Sequence, residues 1–262
     1  MEKINVYSLN GKTTGVINMP KVFNIKPRKD IVQMASAVFQ SKNKQIQGRD
    51  KSAGLRNTAE GWGTGHGLSR APRLKGSGYP TARNVGRVPF AKGGRRAHPI
   101  KAEKSIKKKI NKKTYLLSIV SAISASGDIN WVKNRGHKIE NIPEIPLVVD
   151  DKIQTIKETS RIYTVLCDLG FKDELNKNKN TKKIRPGKGK RRGRKYKNNR
   201  GILLVIKDDF GLVRAARNIP GVEIINVDKI SIDQLAPGGL LGRLILWSQS
   251  AFTELNKFEE IM

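Results

Sequence analysis

Cysteine, histidine and acidic residues are scarce in this sequence, and each shortage closes off a class of function. A single cysteine, Cys167, leaves no internal disulfide and no cysteine-based zinc site; it fits a reducing compartment and reads as a small buried apolar side chain. The three histidines, His66, His98 and His137, stand far apart, without the i, i+4 spacing or nearby cysteines of a metal site. No apolar run approaches the roughly 20 residues needed to cross a bilayer, and residues 1–20 lack the apolar stretch of a signal peptide, so a soluble cytoplasmic protein is expected. Hydrophobic residues make up 37% of the 262, a low share that places part of the chain outside any core. Only 22 acidic residues face 52 lysines and arginines, a net charge of +30. A compact fold so charged repels itself unless a polyanion neutralises it; nucleic acid is the first candidate and an anionic membrane surface the second.

The excess charge is concentrated. Residues 42–113 hold 20 basic side chains against Asp50, Glu60 and Glu103, and residues 177–200 hold 13 basic side chains and no acid. The rest has 19 of each sign and is neutral. This division predicts an ordinary fold, residues 1–47 and 97–262, carrying two polyanion-binding parts: an inserted Gly/Arg-rich loop over 48–96 and a basic loop over 177–200. Residues 48–96 contain 11 of the 25 glycines and only isolated large apolar residues, a composition that leaves them structureless on their own. Extended out and back, they reach at most about 75 Å.

The neutral part alternates strand and helix. Ile4 to Leu9 reads as a strand; Asp30 is placed to N-cap a helix whose Ile31, Met34, Ala35, Val38 and Phe39 share one face. Thr114 opens a second helix that Gly127 stops, Leu147–Val149 is a short buried strand, and a helix from about Thr155 ends before Gly170. Ile202 to Ile206 is a continuous apolar run suited to a strand covered on both faces. Then come a short helix from Leu212, a strand over Val222–Val227, a break at Pro237-Gly238-Gly239, a strand over Leu244–Trp247 and a closing helix from Ser248 to Phe258 with Ala251, Leu255 and Phe258 inward. Strands separated by helices predict an α/β fold with a mainly parallel sheet, a Rossmann-like three-layer domain.

Catalytic motifs do not survive their context. The run Gly61, Gly63, Gly65, Gly67 does not follow a strand and open a helix as a dinucleotide fingerprint must, and Gly187-Lys188-Gly189-Lys190 lacks P-loop spacing. The pairs Asp150-Asp151 and Asp208-Asp209 follow predicted strands, where they read as strand ends or helix caps. No enzyme, cofactor or metal is expected.

RNA is favoured over DNA because the charge sits on irregular chain and no recognition helix, basic zipper or zinc finger carries it. Arginine forks grip phosphates, aromatics such as Trp62, Tyr79, Phe90 and Tyr196 stack on unpaired bases, and glycine lets the chain thread between RNA helices. Candidate RNA contacts are Arg49, Lys51, Arg56, Arg70, Arg73, Lys75, Arg83, Arg87, Lys92, Arg95 and Arg96 in the first segment, and Lys188, Lys190, Arg191, Arg192, Arg194 and Lys195 in the second. An α/β enzyme acting on RNA, or a nonspecific nucleic-acid compactor, remain as alternative readings of the same residues.

Six ordered stretches, "GWGTGHGLSRAPRLKGS", "GGRRAHPIKAEK", "HKIENIPEIPLVV", "RPGKGKRRGRKYK", "RNIPGVEIINV" and "LAPGGLLGRLILWSQSAF", resemble the universal large-subunit ribosomal protein number four, the L-four family, in its archaeal and eukaryotic form. The resemblance spans nearly the whole chain, and "GGRRAHP" looks archaeal. It implies a structural protein of the large ribosomal subunit, bound to large-subunit ribosomal RNA and to neighbouring ribosomal proteins. It further implies a loop that runs to the constriction of the nascent-peptide exit tunnel. By motif matching, Trp62, Gly63, Thr64, Gly65 and His66 would line that tunnel and meet the nascent polypeptide. Members of the family often carry arginine where His66 stands, so imidazole replaces a fixed charge there.

Overall fold

A computed structural model of the chain describes residues 3–261. The backbone divides into two compact units, one built from the chain up to Ser41 and from Lys108 onward, the other from Lys42–Lys107. The larger unit is mixed α/β around a six-stranded sheet of order β2-β1-β3-β8-β6-β7. Its strands are β1 (Lys3–Tyr7), β2 (Thr13–Asn18), β3 (Leu147–Val149), β6 (Leu203–Ile206), β7 (Glu223–Asn226) and β8 (Ile245–Ser248). All neighbouring pairs are parallel except β1 and β2, which form an antiparallel edge. β2 is absent from the sequence reading because its side chains are almost all exposed, leaving no apolar alternation to detect.

The central strands are short and apolar because both sheet faces are covered. Every residue of β3, β6 and β8 is buried. Alternation along the strands then splits the core in two. Val6, Val148, Leu203, Val205, Ile245 and Trp247 join one cluster with residues of α1 (Lys29–Lys42), α2 (Lys112–Ser126), α7 (Ile232–Leu235) and α8 (Gln249–Glu254). Leu147, Val149, Leu204, Ile206 and Leu246 join the other with residues of α3 (Ile129–Arg135), α4 (Thr159–Leu166), α5 (Lys172–Asn180) and α6 (Leu212–Ala216). Trp247 anchors the first cluster, edge-on to Phe23 at 6.4 Å and to Phe252 at 6.2 Å. Such aromatic pairs add about 0.5–1.5 kcal/mol each beyond their buried area.

Several boundaries differ from the sequence reading, each for a local reason. Asp30 lies inside α1 rather than capping it, and its carboxylate accepts from Arg28 at 2.6 Å. Met34 faces solvent, because Ile31, Val32, Ala35 and Val38 set the buried face. α2 starts two residues before Thr114, with Asn111 in the cap position. The helix expected from Thr155 begins at Thr159: Asp150 accepts the Lys152 N–H at 3.4 Å and turns Asp151–Thr155 into a 3-10 helix first. Past α4 the backbone swings through Gly170 at φ 88° and resumes as α5, which claims the first four residues of the segment 177–200. Cys167 is half-buried against the second cluster rather than enclosed.

Candidate nucleic-acid interface

After α5 the chain forms a small antiparallel hairpin, β4 (Lys183–Ile184) with β5 (Tyr196–Lys197), so the second basic segment is not wholly irregular. The Arg185 N–H donates to the Lys195 carbonyl at 2.8 Å, a 3-10 turn spans Lys188–Arg192, and Gly193 closes it in the left-handed region at φ 78°. Lys188, Lys190, Arg191, Arg192, Arg194 and Lys195 are all exposed. Lys182 and Lys195 place their ammonium groups 5.0 and 5.5 Å from the Tyr196 ring centre, an attraction worth about 0.5–1 kcal/mol at exposed sites. Residues 182–197 contain no carboxylate, so nothing within the hairpin neutralises its cations. Like charges held together in this way raise the local potential and favour a bound polyanion.

The base of this hairpin is fixed by a guanidinium the sequence reading missed. Arg243 is fully buried; its Nε donates to the Gly201 carbonyl at 3.0 Å, and its Nη1 donates to the Gln234 carbonyl at 2.6 Å and pairs with Glu223 at 2.7 Å. Burial pulls its pKa down, while the Glu223 charge opposes that. Arg200 pairs with Glu223 at 3.3 Å and Asp233 at 3.0 Å, so this last cation of the segment serves the fold. At the other end Glu174, also buried, accepts from His137 Nδ1 at 2.8 Å and the Lys138 N–H at 3.0 Å and pairs with Lys177 at 3.5 Å. Desolvation would raise the Glu174 pKa, but these bonds and charges outweigh it and hold the carboxyl below its ordinary value. The visible signal for Arg243 was a lone cation inside an apolar run, Leu240 to Leu246.

The unit Lys42–Lys107 holds its backbone by other means. Glu60 and Arg73 exchange N–H···O=C bonds at 3.0 and 2.9 Å, and Arg73 bridges onward to Val85, so three passes of chain lie side by side. Arg87 adopts φ 60°, uncommon for a side-chain-bearing residue, and its guanidinium donates to Asn57 Oδ1 at 3.1 Å and to the Asn57 carbonyl at 2.8 Å. Arg73 donates to the Arg83 carbonyl at 3.0 Å. Gly54 lies so close to Gly94 that an added Cβ would come within 2.4 Å of the Gly94 carbonyl carbon. These bonds join particular passes of residues 48–96 that their composition did not suggest. Arg73 and Arg87 are thus engaged within the loop. Lys75 and Arg56 make exposed ion pairs with Glu60 and Asp50, both at 2.5 Å. Arg49, Lys51, Arg70, Arg83, Lys92, Arg95 and Arg96 are exposed.

Between Glu60 and Arg73 the chain makes a glycine-rich tip. Gly63, Gly65 and Gly67 have φ of 76°, 91° and 62°, with open space where a Cβ would stand. Trp62 is half-buried and meets the His66 ring at 5.6 Å, while Gly63, Thr64, Gly65 and His66 are exposed.

Where open α/β sheets usually bind ligands, beyond the carboxyl ends of the strands, this sheet is stopped with its own side chains. Asp151 accepts from the Ser250 N–H at 3.0 Å, from Ser250 Oγ at 2.7 Å and from Gln154 Nε2 at 2.8 Å. Gln154 Oε1 in turn accepts the Asp208 N–H at 3.0 Å. Asp209 accepts the N–H groups of Gly211 and Val213 and so caps the start of α6. Of the two acidic pairs singled out from the sequence, the side chains of Asp150, Asp151 and Asp209 act as caps and struts. Among the described residues, no helix is long and apolar enough to cross a membrane.

Comparison with known proteins identifies the family of the chain. Residues 17–258 match the Ribosomal protein L4/L1 family. The large ribosomal subunit protein uL4 of Methanosphaera stadtmanae is 41% identical over 256 residues, 98% of this chain and 97% of the relative. Those of Methanococcus aeolicus and Methanocaldococcus jannaschii are 38% and 40% identical, each over 97% of this chain and over 99% and 98% of their own lengths. The chain belongs to the ribosomal protein L4/L1 family.

Proposed function

We propose that the protein is a non-enzymatic, structural constituent of the large ribosomal subunit in the cytoplasm, binding large-subunit ribosomal RNA through its two cationic segments. In this reading a Rossmann-like three-layer domain, residues 1–47 and 97–262, carries the extended loop 48–96 and the basic segment 177–200. The hairpin cations Lys188, Lys190, Arg191, Arg192, Arg194 and Lys195 face phosphates. In the loop, Arg49, Lys51, Arg56, Arg70, Lys75, Arg83, Lys92, Arg95 and Arg96 do the same, while Arg73 and Arg87 mainly hold its shape. Trp62, Gly63, Thr64, Gly65 and His66 line the nascent-peptide exit tunnel beside a second ribosomal protein.

The observation that carries this reading is the separation of charge: ten cations in residues 182–197 without one carboxylate, while the chain outside residues 42–113 and 177–200 has 19 charges of each sign. Neutralising phosphates with these groups releases condensed counterions, which favours binding and makes it salt-dependent. Sedimentation of a cell lysate through rising salt tests it. The protein should travel with large subunits until they come apart; finding it free at modest ionic strength would favour an RNA-directed enzyme or a nonspecific compactor.

A further inference from the structure

The excess of positive charge over residues 42–113 runs past the loop 48–96 and into the sheet unit. Lys108, Lys109, Lys112 and Lys113 belong to that unit, in the strip that enters α2 and in the first turn of the helix, and all four are exposed. Among the described residues none of them makes an ion pair, and no acidic residue occurs from Lys108 to Gly127. The strip 108–113 spans at most about 18 Å and salt screens charge over about 8 Å, so each ammonium group repels its neighbours.

The fold does not need this charge. Lys112 and Lys113 stand where the N–H groups of a 15-residue helix already concentrate partial positive charge, and the first turn has no acidic residue to offset them. Lys108 and Lys109 lie outside the helix, on a strip that other groups hold. The Lys108 N–H donates to Ser41 Oγ at 2.9 Å, Ser41 in turn donates to the Val38 carbonyl at 2.6 Å, and Ile110 packs on the first core cluster. The ammonium groups are thus left in water on a backbone fixed by the scaffold, and binding an anion there requires little further ordering of the chain. Lysine is a point charge without the planar fork of arginine, which suits phosphate oxygens and reads no base.

We propose that Lys108, Lys109, Lys112 and Lys113 form a third RNA contact, on the sheet unit itself, that grips the sugar–phosphate backbone of the RNA without regard to sequence. The inference rests on the RNA-binding reading above and adds to it a place where the scaffold meets RNA directly.

Titration of the full-length chain with polyuridylate and with polycytidylate over a range of salt tests it. Replacing all four lysines by Gln should weaken both complexes by at least about tenfold at about 0.1 M salt. The slope of log K against log salt should become shallower by about 2–3 units, the change expected from losing four single-strand phosphate contacts at about 0.7 each. A control with Lys3, Lys12, Lys26 and Lys172 replaced by Gln removes the same charge from exposed positions elsewhere on the unit, and its slope should change by less than about 1 unit. A four-lysine variant no different from the control, or one that loses affinity for only one of the two RNAs, overturns the proposal. So does a variant that keeps the RNA slope of the unaltered chain but no longer binds phosphatidylserine vesicles, since the patch would then be a membrane contact. A chain with Lys190, Arg191, Arg192 and Arg194 all replaced by Ala separates the two readings. If it flattens the slope and the four-lysine variant does not, the third contact alone fails; if neither does, the RNA role of the hairpin fails with it.

Discussion

Trp247 and Arg87 show how differently the two units hold their backbone. Trp247 is fully buried among Phe23 and Phe252 and owes its place to apolar surface removed from water. Arg87 is half-exposed and secures an unusual backbone angle through hydrogen bonds to a single asparagine. The first device is cooperative, because each buried side chain is held by many others. The second is local, and water or a phosphate can compete for it. A chain built this way holds one part by many mutual contacts and the other by a few local bonds.

Limited proteolysis of the RNA-free protein gives the largest expected contrast. Residues 42–107 should be cut at least about a hundredfold faster than the sheet unit, since local opening costs far less than global unfolding. Equal resistance would erase the distinction between the units. Trp247→Ala should lower the stability of the sheet unit by about 3–5 kcal/mol in urea denaturation, without changing the cleavage rate within 42–107.

Glu174→Gln comes next. Removing a buried charge that serves three partners should cost about 3 kcal/mol at neutral pH. Because the folded carboxyl lies below its ordinary value of 4.5, its contribution is fully present above that value and is lost as the pH falls through the folded value. The unaltered protein should therefore lose stability on acidification more steeply than Glu174→Gln, as thermal melts at pH 3 and pH 7 would show. Arg87→Ala should reduce hydrogen-exchange protection of amides around Asn57 and Ala59 by about 1 kcal/mol and leave the sheet unchanged. Smallest is Arg56→Ala, whose exposed ion pair with Asp50 should contribute under about 1 kcal/mol and fade with salt.

The same contrast explains what the residues disclosed in advance. Ile202 to Ile206, Leu147–Val149 and the helical face of Ile31, Ala35 and Val38 were legible because apolar periodicity is a local signal that burial then enforces. β2 was not, since an exposed edge strand is specified by its neighbour β1 and not by its own side chains. The cationic segments were legible as charge. Their internal bonds were not: whether Arg87 meets Asn57 thirty residues away, or whether Arg243 enters the core, depends on tertiary proximity that no spacing encodes. Counting cations could therefore name candidates, but could not tell Lys190, free on the hairpin, from Arg73, which is turned inward on its own loop.

Arg243 also bears on how the basic hairpin would behave under load. One guanidinium grips the carbonyl where the hairpin rejoins the sheet, the end of α7 and a carboxylate of β7. Any displacement of the hairpin base is thereby resisted by three elements of the scaffold at once.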